Sequence, residues 1–117
     1  TGSRYCANSQ VRRGLFRLFV SRIYNLFMRL YFGSKLRDHQ CGFKGFRKNA
    51  AKQLFSNLID KRWLFDVELF YKAKKKGYSI KMLPIEWHYA SGSRINLFLD
   101  PFKWFFRLFR LRNALAK

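Results

Sequence analysis

The run Arg37-Asp38-His39-Gln40-Cys41-Gly42-Phe43-Lys44-Gly45-Phe46 is the densest stretch of chemically expressive side chains in the sequence. It sets an acid, two groups that donate and accept hydrogen bonds, a thiol and a cation close together, with glycines where the backbone can turn tightly. Such a set suits a site that holds and orients polar or charged groups. The same spacing also fits a plainer element, a polar loop between two helices whose Asp38 caps the second.

Composition narrows what such a site could serve. The chain has 117 residues, enough for one small domain with a core. It holds 25 Lys and Arg against 6 Asp and Glu, a formal net charge of +19, so its partner should be anionic: nucleic acid, phospholipid or a phosphorylated substrate. Aromatic residues make up 20% of the chain, fourteen of them Phe, too much bulky apolar side chain for a disordered basic tail. Cys6 and Cys41 have neither metal-ligand spacing nor a disulfide framework, which fits a reducing, cytosol-facing setting. Arg or Lys interrupts every apolar run before it reaches the length of a membrane-spanning helix. The first residue is Thr1, with no methionine or signal peptide, as expected of a piece of a longer protein.

Helices must carry most of the rest. From Val11 to Phe32, the residues Leu15, Phe19, Ile23, Leu26 and Leu30 recur at spacings of three and four, with Arg13, Arg17, Arg22 and Arg29 off or beside the stripe. This predicts an amphipathic helix over 11–32, ended by Gly33-Ser34, whose stripe packs on a core or lies in a membrane interface. A second helix is expected from Lys48 to Leu58. A third follows Trp63, with Asp66 as its cap and Glu68 complementing its dipole, and stops at Gly77. Asp66 and Glu68 diverge on a helix and have no further ligand nearby, which argues against a metal pair. Tyr78 to Leu83 alternates as a strand before Pro84. Ser91-Gly92-Ser93-Arg94 then forms a small loop of the kind that suits phosphate. Asp100-Pro101 opens a helix over 100–113 with Phe102, Phe105, Phe106 and Phe109 on one face and Lys103, Arg107 and Arg110 on another. No acid follows Asp100, which favours a helix lying at an anionic membrane surface.

Three motifs in order resemble one family. Gly2-Ser3-Arg4, then Asp38-x-Gln40-Cys41-Gly42-Phe43-Lys44, then Trp63-x-Phe65-Asp66-x-Glu68-Leu69 are similar to the second half of the family 2 glycosyltransferases that move a sugar from a nucleotide onto a polyprenyl (dolichyl) phosphate. The dolichyl-phosphate β-glucosyltransferases are most alike and the mannose synthases close. The resemblance implies an α/β fold, the C-terminal half of a GT-A, Rossmann-like nucleotide-sugar fold with amphipathic interfacial helices, so that 1–117 is the acceptor-side part of one glycosyltransferase domain. It implies inversion at the sugar C1 by single displacement. Asp38 takes the catalytic position with Gln40 beside the sugar. Arg4, Arg17 and Ser21 face the acceptor phosphate, Ser93 and Arg94 the donor diphosphate, and Lys44 counts among the substrate-binding residues. Trp63, Asp66 and Glu68 form a structural motif. The chain lacks the Asp-x-Asp of such enzymes, so the Mg or Mn ion is expected in the N-terminal half, with none in this chain, which alone should be inactive. The implied partners are a nucleotide sugar, a polyprenyl or dolichyl phosphate, that N-terminal half and an anionic membrane surface on its cytosolic face. The rival reading is a basic membrane- or nucleic-acid-binding module without catalysis, with Lys72, Lys74, Lys75 and Lys76 as a phosphate-contacting patch. Helical apolar stripes, rather than isolated stacking platforms, argue against nucleic acid as partner.

Overall fold

The computed structural model describes residues 1–12, 14–88 and 100–116. Ser93 and Arg94 lie outside the described residues, as does the side chain of Phe102. The elements run β1 Gly2–Ser3, β2 Gln10–Arg12, α1 Leu15–Phe32, α2 Lys48–Phe55, α3 Phe65–Lys75, β3 Leu83–Pro84, β4 Glu86–His88 and α4 Asp100–Ala116. The strands make two small parallel pairs. In one, Gly2 faces Leu83 and Ser3 faces Pro84; in the other, Gln10, Val11 and Arg12 face Glu86, Trp87 and His88. Mixed helix and parallel sheet is the α/β class expected.

Several boundaries differ from the pattern-based ones, each for a local reason. The first helix begins at Leu15 rather than Val11, because residues 10–12 pair with β4 and Gly14 is extended at the N-cap. It ends where Gly33 enters the left-handed region at φ 59° and its N–H closes on the Arg29 carbonyl. The second helix stops at Phe55 instead of Leu58, with Ser56 extended and Asn57 left-handed. Residues 78–82 form no ladder, although Tyr78, Ile80 and Met82 face inward while Ser79 and Lys81 face solvent. The alternation was real, but pairing with β1 begins only at Leu83. Pro84 sits inside that pair instead of interrupting it. The fourth helix runs on to Ala116 rather than ending at 113.

Two apolar clusters flank α3. Met28 and Phe32 of α1 meet Leu64, Val67 and the inner face of α4, Leu108, Leu111 and Leu115. Leu54 of α2 meets Leu69 and Ala73 on the other side. With both sides of α3 covered, its acids lie in the first turn, Asp66 and Glu68, and its basic residues in the last, Lys72, Lys74 and Lys75.

Within this chain, the α1 stripe packs on no core among the described residues. Leu15, Phe19, Ile23, Leu26 and Leu30 are all exposed, Leu15 by 83%, while the buried residues are Asn25, Met28 and Phe32. Phe105, Phe106 and Phe109 of α4 are exposed as well. Phe27 and Phe105, with ring centroids 6.0 Å apart, join the two outer faces. Among the described residues, no helix is long and apolar enough to cross a membrane.

Candidate functional site

In the loop 37–46, Asp38, His39 and Cys41 turn inward while Arg37, Phe43 and Phe46 stay exposed. Asp38 is 1% exposed and does not cap α2, which starts ten residues further on at Lys48 with extended Arg47 before it. Its partner is Arg4. Arg4 Nε donates to Asp38 Oδ2 at 2.7 Å, Arg4 Nη2 to Oδ1 at 2.8 Å, and the Arg4 backbone N–H to Oδ2 at 3.0 Å. The Gln40 N–H adds a fourth bond to Oδ1 at 3.3 Å. Burial alone would raise the Asp38 carboxyl, but the hydrogen bonds and charge of Arg4 outweigh it and hold it below the usual carboxylate range. In return, Asp38 lifts the Arg4 guanidinium above its ordinary value, although burial pulls the other way. Arg4 also lies 5.7 Å over the Trp87 ring.

Gly2 shows why this strand begins with glycine. A Cβ there would meet Ile85 Cγ2 at 2.7 Å and Cys41 Sγ at 3.1 Å, while the Gly2 N–H donates to the Phe43 carbonyl at 2.8 Å. Ser3 is fully buried, and its Oγ accepts from the Tyr5 N–H at 3.2 Å. The first motif is thereby seated on the second.

The second motif is tied in turn to the third. Lys44 Nζ pairs with Asp66 at 2.9 Å, donates to the Cys41 carbonyl, and lies 5.4 Å over the Phe70 ring. Lys44 is therefore turned into the fold rather than toward a substrate. The expected cap is also corrected: Leu64 occupies the N-cap of α3, and Asp60 Oδ1 accepts the Arg62 and Leu64 amides at 2.8 and 3.3 Å. Asp66 sits inside the first turn, free to reach Lys44. Glu68 does more than meet the dipole. It is 0% exposed, accepts the amides of Ile59 and Asp60 at 3.0 Å, and pairs with Lys72 at 2.7 Å. Trp63 is half exposed, its ring 6.2 Å from that of Trp104 of α4 and tilted 37° to it.

Helix α1 reaches the loop through a residue with no role in the sequence reading. Asn25 donates to the Ser21 carbonyl at 2.9 Å, which fixes its amide, so its Oδ1 accepts both the His39 backbone N–H and the ring Nδ1–H at 2.9 Å. His39 Nε2 is buried without a partner among the described residues. Burial, reinforced by Arg29 and Lys44 against the opposing charge of Asp38, lowers the imidazole to about 4, so it is neutral near pH 7. Ser21 Oγ lies 2.5 Å from the Tyr5 hydroxyl, which binds α1 to the turn after β1 that carries Arg4.

Arg4, Asp38 and Gln40 are thus brought together, with Ser21 held through Tyr5. Arg17 is half-buried one turn from Ser21. Beside Arg4 opens a cleft of about 430 Å³ lined by Tyr5, Val11, Leu18, Arg22 and Arg37. Sequence reasoning assigned no role to Tyr5 or Arg37, and saw Arg22 only as a flank; the adjacency of Arg37 to Asp38 was the available signal. The buried carboxylates do not suit a divalent metal, since Asp38, Asp66 and Glu68 are each committed to a cation. Among the described residues, no three His, Cys, Asp or Glu side chains converge.

This arrangement accompanies sequence similarity to sugar-transferring enzymes. The chain is 35% identical over 100 residues to the glycosyltransferase AglD of Haloferax volcanii, which covers 86% of the chain and 16% of AglD. It is 40% identical over 68 residues to the dolichyl-phosphate beta-glucosyltransferase of Saccharomyces cerevisiae, covering 58% of the chain and 20% of that enzyme. For the human enzyme of the same name the match is 43% over 60 residues, 51% of the chain and 18% of the enzyme. Over most of its own length the chain is similar to these glycosyltransferases. It spans less than a quarter of the length of each of these three relatives. No protein-family model and no solved structure matches it. In this segment, the ties Gly2–Phe43, Arg4–Asp38 and Lys44–Asp66 give the three motifs a common place in space.

Proposed function

We propose that this segment is the acceptor-side, C-terminal part of a GT-A, Rossmann-like glycosyltransferase domain. The whole protein transfers a sugar such as glucose or mannose from a nucleotide sugar to a polyprenyl or dolichyl phosphate, with inversion at C1. The observation that carries this reading is the buried Arg4–Asp38 pair at the edge of a cationic cleft beside an exposed apolar helix. A phosphate monoester has its second pKa near 6, so at neutral pH its oxygen can attack without strong general-base catalysis. The need is for cations that bring two anions together and for groups that fix their geometry. Asp38 acts by fixing the Arg4 fork, and Gln40 lies on the turn beside it. Arg17 and Ser21 extend the acceptor side along α1. Ser93 and Arg94 would take the donor diphosphate. The Mg or Mn ion that the resemblance implies would be held by the N-terminal part.

The same reading seats the protein on the cytosolic face of a membrane. The outer faces of α1 and α4 meet through Phe27 and Phe105, and Arg22, Arg29, Lys103, Arg107 and Arg110 flank them. At about 1 kcal/mol per basic residue near an anionic leaflet, three to five of these would hold the protein there.

The test is transfer of labelled sugar onto a polyprenyl phosphate, using a chimera that joins this segment to the N-terminal part of the yeast relative. Activity above that of the N-terminal part alone is expected. Absence of transfer from every nucleotide sugar offered, with the chimera folded, refutes the reading.

A further inference from the structure

The cleft beside Arg4 has three guanidiniums on its walls, Arg4, Arg22 and Arg37, and among the described residues only Arg4 has a carboxylate partner. Of the other acids, the four whose side chains the structure describes are committed elsewhere: Asp66 to Lys44, Glu68 to Lys72, Glu86 to His88, and Asp60 to backbone amides. With Arg4 neutralised by Asp38, the uncompensated charge of the cleft comes from the exposed side chains of Arg22 and Arg37. Two guanidiniums match a phosphate monoester, which carries about −1.5 to −2 near pH 7 and offers three acceptor oxygens.

The rest of the lining says what that phosphate is attached to. Val11 and Leu18 form an apolar part of the wall. Leu18 and Arg22 are one helical turn apart on α1, and Leu15 and Leu26 are their neighbours at three and four residues. Leu15 and Leu26 belong to the exposed apolar stripe, so the cationic cleft opens onto an apolar track. A nucleoside diphosphate would find no use for that track. A phosphate on a hydrocarbon chain fits both parts.

We propose that Arg22 and Arg37 hold the phosphate of an isoprenoid monophosphate acceptor in this cleft, with its first apolar units along Leu18, Leu15 and Leu26. This rests on the transferase reading but relocates the binding charge: Arg4 is the oriented edge of the site, and Arg22 and Arg37 are its anion-binding residues. Tyr5, whose hydroxyl is held by Ser21, lines the same space.

Calorimetric titration of the 117-residue chain with farnesyl monophosphate, farnesol and inorganic phosphate tests it. Farnesyl monophosphate should bind more tightly than either half alone. Arg22→Gln and Arg37→Gln should each weaken it about tenfold or more, as loss of a charged hydrogen bond implies, with Arg22→Lys and Arg37→Lys intermediate. Lys52→Gln, on exposed α2, removes the same charge far from the cleft and should change nothing. Circular dichroism establishes that the variants are folded, and any variant that is not is replaced by its Lys counterpart. Equal affinity for inorganic and farnesyl phosphate, unchanged binding in both Gln variants, or an equal loss in Lys52→Gln overturns the proposal. Transfer by the chimera with an unaltered KM for lipid in the two variants also removes the site while the transferase reading stands. Specific binding without transfer has the opposite meaning.

Discussion

Replacing Asp38 by Asn separates a buried ion pair from a loop cap, because Asn caps a helix about as well as Asp. The carboxylate accepts four hydrogen bonds, two on each oxygen: Arg4 Nε and N on Oδ2, Arg4 Nη2 and the Gln40 N–H on Oδ1. The Asn amide supplies one accepting oxygen, and its NH2 must face donors in the other position. In either orientation at least one guanidinium bond becomes a donor–donor contact, and Arg4, with its side chain only 14% exposed, keeps its charge unmatched. Removing one partner of a buried pair costs about 3 to 5 kcal/mol. For a chain of this length each kcal/mol shifts the melting temperature by about 4 °C, so Asp38→Asn should lower it by roughly 12 to 20 °C. The assay is thermal unfolding followed by circular dichroism, with urea unfolding in parallel. Arg4→Met combined with Asp38→Leu, which removes both charges and leaves neither unpaired, should recover most of the loss. A shift below about 3 °C for Asp38→Asn, or a double variant no better than the single, refutes the ion-pair reasoning.

Three further outcomes follow from the same geometry. Glu68→Gln should cost about 3 kcal/mol in urea unfolding, because it leaves Lys72 and the Ile59 and Asp60 amides contending for one oxygen. Between pH 6.5 and about 4 the unfolded chain binds a proton at His39 that the folded chain does not, so stability falls with pH across that window by about 3 kcal/mol; His39→Gln should flatten the slope. The Asp38 contribution is retained there and is lost only as pH falls through its depressed value. Phe19→Ser with Phe106→Ser, both on exposed faces, should leave melting nearly unchanged and weaken binding to anionic liposomes about tenfold or more in a flotation assay; unchanged flotation would remove these faces from the membrane.

Residue type and order made the three motifs legible, but not the direction in which their side chains point. Asp38 and His39 read as a polar surface loop because composition cannot reveal that Arg4 and Asn25, distant in sequence, satisfy them. In α1, apolar residues occupy both sides: Leu15, Phe19, Ile23, Leu26 and Leu30 outside, Met28 and Phe32 inside, with Tyr24, Phe27 and Tyr31 between. Periodicity identifies such a helix without choosing its buried face, and here the polar Asn25 lies on the inner side. Asp66 met every local criterion for a cap, yet Asp60 supplies that oxygen and Asp66 answers Lys44. For Asp38 and Asp66, local propensity gave way to a tertiary ion pair.

The scarcity of acids explains why those tertiary charges govern the architecture. With a net charge of +19, every additional carboxylate would relieve repulsion, yet only 6 occur. Three of them join parts of the site: Asp38 joins the first motif to the second, Asp66 the second to the third, and Glu68 fixes the loop that leads into α3. Loss of any one removes a tie and adds an unmatched cation to a chain already rich in them. Among the described residues no carboxylate pairs with Arg22 or Arg37, which line the cleft beside Arg4, and Lys61, Arg62, Arg107 and Arg110 line a second cleft. The charge pattern sets Arg4, which is neutralised and holds the fold together, apart from Arg22 and Arg37, whose charge the proposed anion site requires.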